Sequence, residues 1–185
     1  MSLWGNDIKP KNLTDAEKKE VFANTKGWVR EAGSILSGNG NTSADPEVLV
    51  AIGGLSANMG SANITELEFI TTAFDKSDGG TLQVRARFNE PVTVTGTPQL
   101  TVVNDQRANH TLSYASGSTT NELVFSLTIA AANSATNAGD ILSIGANAIG
   151  LNGGTIKDTG QSGTNATITN AASIGTAAGT ITVTA

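Results

Sequence analysis

Residues 81–105 read TLQVRARFNEPVTVTGTPQLTVVND, and the fold class turns on this stretch. Leu82, Val84, Ala86 and Phe88 alternate with Gln83, Arg85 and Arg87. A period of two puts the first set on one face of a β-strand and the second on the other, the pattern of a strand buried on one side. Beyond Phe88 the stretch alternates Val, Thr and Leu and is broken by Pro91, Gly96 and Pro98, so that VTV and PQLTVV read as further short strands. Branched side chains suit a pleated backbone, while Pro and Gly punctuate it. Such a segment builds a surface and offers little chemistry.

The same signal recurs on either side. ITELEFIT (64–71) precedes the stretch, and HTLSYAS (110–116) follows it with Leu112 and Tyr114 in register. ELVFSLTIA (122–130) places Leu123, Phe125, Leu127 and Ile129 on one face, and DILSIGANAIGL, GTIKD, NATITNA and GTITVTA complete the set to residue 185. Turns are marked at Asp78-Gly79-Gly80, Gly96, Gly117, Gly139-Asp140, Gly153-Gly154 and Gly160. Roughly seven to nine short strands so punctuated, with no helical period, predict a mainly β chain whose residues 61–185 form an antiparallel β-sandwich of immunoglobulin-like type.

Residues 1–60 read differently. They hold both tryptophans and the lysines Lys9, Lys11, Lys18, Lys19 and Lys26. In LTDAEKKEVFAN, Thr14 is followed three residues later by Glu17, a capping box. It predicts a short helix with Val21 and Phe22 on its apolar side. GWVRE and EVLVAIGGL read as extended pieces, SGNGNTSADP between them as a loop, and SANMGSAN (56–63) as the joint to the second domain. The expectation is an N-terminal arm, with one short helix, that docks or anchors the sandwich.

Composition narrows the function. With 16 acidic against 11 basic side chains and a net charge of −5, the chain lacks the basic stripe that would displace counterions from phosphates, which argues against a nucleic-acid partner. The absence of cysteine removes disulfides, thiolate metal sites and thiol nucleophiles. No run approaches the length of a membrane span and the first residues carry no apolar export signal, so a soluble chain is expected, with no membrane partner.

Catalytic candidates are few. His110 is the only histidine. It has no second histidine for a metal site, and no serine lies in a nucleophile elbow. Asp75, Asp78, Asp105, Asp140 and Asp158 fall at strand ends or turns; there a carboxylate caps backbone N–H groups more often than it binds calcium. Five N-x-[ST] triplets, at Asn12, Asn41, Asn63, Asn109 and Asn165, match chance in so Asn- and Thr-rich a chain. The reading is of a non-enzyme with no cofactor, no catalytic residue and no metal. Trp4, Phe22 and Trp28 stand out as large apolar groups in a thinly hydrophobic arm, and are the candidate partner-binding residues.

Two resemblances follow from the motifs. FNEPVTVTGTPQLTV, YASGSTTNELVF, GDILS and LNGGTIKD resemble, in order, the pattern of bacterial Ig-like repeats of large surface adhesins and hemolysin-type proteins, over residues 64–174. This implies the sandwich and transfers no active site, because such repeats are spacers and binding modules. LWGND, VFANTKGWV and EVLVAIGGL resemble the opening of structural proteins of tailed, T4-like phages of marine bacteria. A single Ig-like module on a short arm then implies a virion protein on the outer capsid surface that decorates or cements the head. Its implied partners are the major capsid protein and further copies of itself, with a trimer suited to quasi-threefold positions. The alternatives are an adhesion module of a bacterial surface protein, for which Tyr114 is the one aromatic candidate for a sugar platform, and a tail or neck component.

Overall fold

The computed structural model describes residues 13–24, 27–33, 42–43, 47–51, 61–160 and 163–185 and is mainly β, with two short helices among these residues. It divides the chain into two compact units, Met1–Ser61 and Ala62–Ala185. Most of the expected loop at SGNGNTSADP and of the expected joint at SANMGSAN lies outside the described residues. Among those residues no helix is long and apolar enough to cross a membrane.

In the first unit, helix α1 (Asp15–Glu20) begins at the capping box. Glu17 N–H donates to Thr14 Oγ1 at 3.3 Å, and Thr14 N–H donates to Glu17 Oε2 at 2.8 Å. The helix ends after six residues. Val21 and Phe22, expected on its apolar side, instead open strand β1 (Val21–Asn24). Branched and aromatic side chains favour the extended backbone, and so short a helix gains little from one more turn. Pairing decides the contest. β1 runs antiparallel to β2 (Gly27–Arg30), with Val21 opposite Arg30, and β3 (Glu47–Ala51) takes the other edge of β2.

The second unit holds β4 (Ile64–Phe69), β5 (Phe74–Asp75), β6 (Gly80–Thr95), β7 (Gln99–Asn104), β8 (His110–Ser116), β9 (Thr120–Ile129), β10 (Ile141–Gly150), β11 (Thr155–Asp158), α2 (Ala172–Ala177) and β12 (Ile181–Thr184). They form one path, β11-β6-β9-β8-β7-β10-β12-β5, with β4 also beside β6. The β12–β5 pair is parallel and the others antiparallel.

TLQVRARF and VTV are thus a single strand, not two. Arg87 lies opposite Glu122 and Val92 opposite Thr120, so β6 carries residues between them that β9 does not match. Pro91, which has no N–H to give, lies in that slip. Ahead of the slip β6 takes β4 as its second neighbour; after it, β11. β8 makes a similar exchange, pairing with β7 up to Ser113 and with β9 from Ser113 onward. The sheet curls around one core that includes Leu82, Phe88, Leu100, Leu112, Leu123, Phe125, Leu142 and Ile156. Its β6 face is the one the alternation predicts.

One expected strand is absent from the described residues. NATITNA makes only isolated bridges, Asn165 to Lys157 and Thr167 to Asn63, and the residues after it coil into α2. Alanine is the best helix former, and ASIGTA carries no period-two pattern to oppose it. Gly175 lets the helix approach β10 so closely that a Cβ there would overlap the Ile144 carbonyl.

Candidate functional site

Of the three arm residues singled out as partner anchors, Trp4 lies outside the described residues. Phe22 is half-buried in β1. Trp28 is 7% exposed and packs with Val21, Leu13 and Leu49 in a small core of the first unit.

On the second unit the face of β6 opposite the core is not solvated as the alternation predicts. Arg87 is 3% exposed and Arg85 9%. The register sets Glu66 and Glu122 on either side of Arg87, and Glu68 beside Arg85. Arg85 Nη2 lies 2.6 Å from Glu68 Oε2; Arg87 Nη1 lies 2.8 Å from Glu66 Oε2 and 3.0 Å from Glu68 Oε2. Glu122 joins both guanidiniums, at 3.3 Å from Arg87 Nε and 3.5 Å from Arg85 Nη1. Alternation reports polarity, not exposure, and three carboxylates close over the two cations. The signal was present in the sequence as E-x-E in ITELEF against R-x-R in VRARF, but it becomes a contact only once β4 and β6 are known to be neighbours.

The turn aspartates hold backbone. Asp75 accepts from the Ser77 hydroxyl at 2.6 Å, the Thr184 hydroxyl at 2.9 Å and Ser77 N–H at 2.8 Å, which hold its pKa down at about 2. Asp105 accepts Ile141 N–H at 2.7 Å, and that bond holds its pKa below the usual value. Asp140 accepts Asn137 N–H at 2.9 Å and Asn104 Nδ2 at 3.0 Å, with Arg107 Nε at 3.3 Å. Asp158 accepts Ala62 N–H at 3.1 Å and Gly160 N–H at 2.7 Å. These bonds tie loop ends to the sheet.

Two further placements were not legible in the sequence. Glu90, in the slip of β6, comes beside Asp158 at the end of β11 although they are far apart along the chain. Burial, and secondarily the Asp158 charge, raise its pKa to about 7. His110 opens β8, and there it is buried, 4% exposed. Tyr114 is half-buried. Its hydroxyl accepts Ser118 N–H at 2.8 Å, and its ring meets Phe125 edge-on at 6.2 Å.

The Glu90 placement sets a pH dependence. A carboxyl whose folded pKa lies above its unfolded value contributes stability that is whole below about 4.5 and is lost as pH rises through about 7. Thermal melts of Glu90→Gln and the natural chain should therefore converge near pH 4.5 and separate near pH 8. At the higher pH the variant is expected to be more stable by about 1 kcal/mol, the shift being discounted because the side chain is only half-buried. Equal melting temperatures at both pH values would refute the placement.

Among the described residues no three His, Cys, Asp or Glu side chains converge on a point that could hold a metal. What the arrangement does chemically is close charges and caps on themselves. No family model, no curated protein and no solved structure matches the chain.

Proposed function

We propose that this chain is a non-enzymatic structural protein of a phage virion, located on the outer capsid surface, where it decorates or cements the head. The observation that carries the reading is the internal use of polar chemistry in the second unit. The Arg85–Arg87 ladder and four of the turn carboxylates serve strand and loop geometry, and Thr is the commonest exposed residue among the described residues of the unit, with Ala next. A body of this kind acts by shape. The reading takes the second unit as an immunoglobulin-like sandwich. The change of partners along β6 and β8 supports this, since two-layered β folds turn their corners with strands that switch neighbours.

In this reading the first unit is the docking segment. Trp28 contributes by holding that unit together, and Phe22 is the half-buried aromatic left nearer its surface. The partners are the major capsid protein and other copies of the chain, a homotrimer being the natural arrangement at quasi-threefold positions. Several weak contacts around a symmetry axis would hold by avidity. Weighing against the adhesion-module alternative, Tyr114 is half-buried and engaged with Ser118 and Phe125.

Immunogold electron microscopy, with serum raised against the full chain, tests the assignment on particles and cells of the source culture. Regular label over phage heads is expected. Gold confined to tails or necks would discard the capsid role and keep the virion. Label on bacterial envelopes with none on virions would overturn the proposal in favour of an adhesion module.

A further inference from the structure

The second unit contains a buried histidine that the proposed function does not use. His110 pairs with Val102 of β7, is 4% exposed, and its Nε2 makes no hydrogen bond. The carboxylate that acts on it is that of Asp140, the last residue before β10. Asp140 is already engaged: Oδ2 takes Asn104 Nδ2, Asn137 N–H and Arg107 Nε. Asn104 Oδ1 in turn accepts Gln106 N–H at 3.0 Å and Arg107 N–H at 3.1 Å, while Asp105 holds Ile141 N–H. Lys76, from the turn after β5, reaches Asn137 Oδ1 at 2.6 Å. The β7–β8 loop and the β9–β10 connection are thus fastened to each other through one carboxylate and one amide next to the imidazole.

Adding a proton to His110 has two consequences. It places a charge in the interior with an Nε2–H that has no acceptor, a costly group to leave unmatched. It also offers Asp140 a new cation, in competition with the loop groups that Oδ2 now serves. We propose that His110 is a proton-sensing joint, whose protonation unfastens the 105–109 loop from the 131–140 connection while the folded sheet stays closed. Burial holds the imidazole below its ordinary value of 6.5, with Asp140 opposing. The fastened form is therefore complete above the unfolded value and is lost as pH falls through the lower folded one.

Hydrogen exchange of the full chain, compared at about pH 7.5 and about pH 5.5 after correction for intrinsic rates, reads the joint directly. Amides of 104–110 and 131–141 should lose protection roughly tenfold on acidification, with 82–88 unchanged as internal reference. In His110→Gln the loss should vanish. Equal protection at both pH values in the natural chain, or an equal loss in the variant, would overturn the proposal. Should the variant not fold, proton NMR of the natural chain decides, because the single histidine makes its ring signals unambiguous. A midpoint below 6.5 shared by the imidazole and the loop amides supports the joint; a midpoint at or above 6.5, or loop amides that do not follow it, refutes it.

Discussion

Replacing Arg87 by Leu should cost about 3–5 kcal/mol at neutral pH, measured by urea unfolding of the full chain. The guanidinium is 3% exposed and holds Glu66, Glu68 and Glu122 within 3.3 Å. Leucine fills much of the volume but leaves three carboxylates gathered around Arg85 alone. Unmatched charge, and not lost packing, dominates the expected loss. Acidification separates the two causes. Lowering the pH into the range where carboxylates protonate should return part of the deficit, because neutral acids no longer repel one another. A cavity would give a deficit indifferent to pH. A loss below about 1 kcal/mol would mean that the ladder behaves as an ordinary surface ion pair.

Gly117→Ala is expected to have an effect of similar size, roughly 2–4 kcal/mol. Gly117 has φ +107, and a Cβ on it would overlap the Glu122 carbonyl. The backbone at this turn has little freedom to retreat. Thr119 N–H donates to Val92 O at 2.8 Å, Val94 N–H to Ser118 Oγ at 3.0 Å, and Ser118 N–H to the Tyr114 hydroxyl. The hairpin tip between β8 and β9 is thereby fastened to β6 just past its slip. Gly179→Ala is the control: φ is +76, but nothing lies within 4 Å of the new Cβ. It should cost about 1 kcal/mol, from backbone conformation alone. If the two variants lose the same amount, the close approach to Glu122 is not what requires glycine at position 117.

Both predictions rest on features that sequence and fold share unequally. Gly117 could be marked as a turn from YASGSTTNELVF, since glycine between two alternating runs has a local meaning. The Thr14–Glu17 capping box was equally local, three residues apart, and it formed. The core face of β6 followed from alternation because neighbouring Cβ atoms on a strand must point to opposite sides. The extent of α1 was not legible. Whether Val21 continues a helix or begins a strand depends on Arg30, its partner across the hairpin, and no local preference states that partner's presence.

What the sequence determined by itself was the β class, most of the turns and which side chains of TLQVRARF, HTLSYAS and ELVFSLTIA face inward. All of these depend on residues within a few positions of one another. Tertiary structure alone decided that VTV continues TLQVRARF past Pro91, and that β6 and β8 exchange partners. It alone closed Arg85 and Arg87 under carboxylates from two other strands, brought Glu90 to Asp158, and buried His110 beside Asp140. The physical reason is common to these cases. Burial and charge at a site are set by which strand lies alongside, pairing joins residues tens of positions apart, and the same alternating pattern serves a solvated face and a closed one equally well.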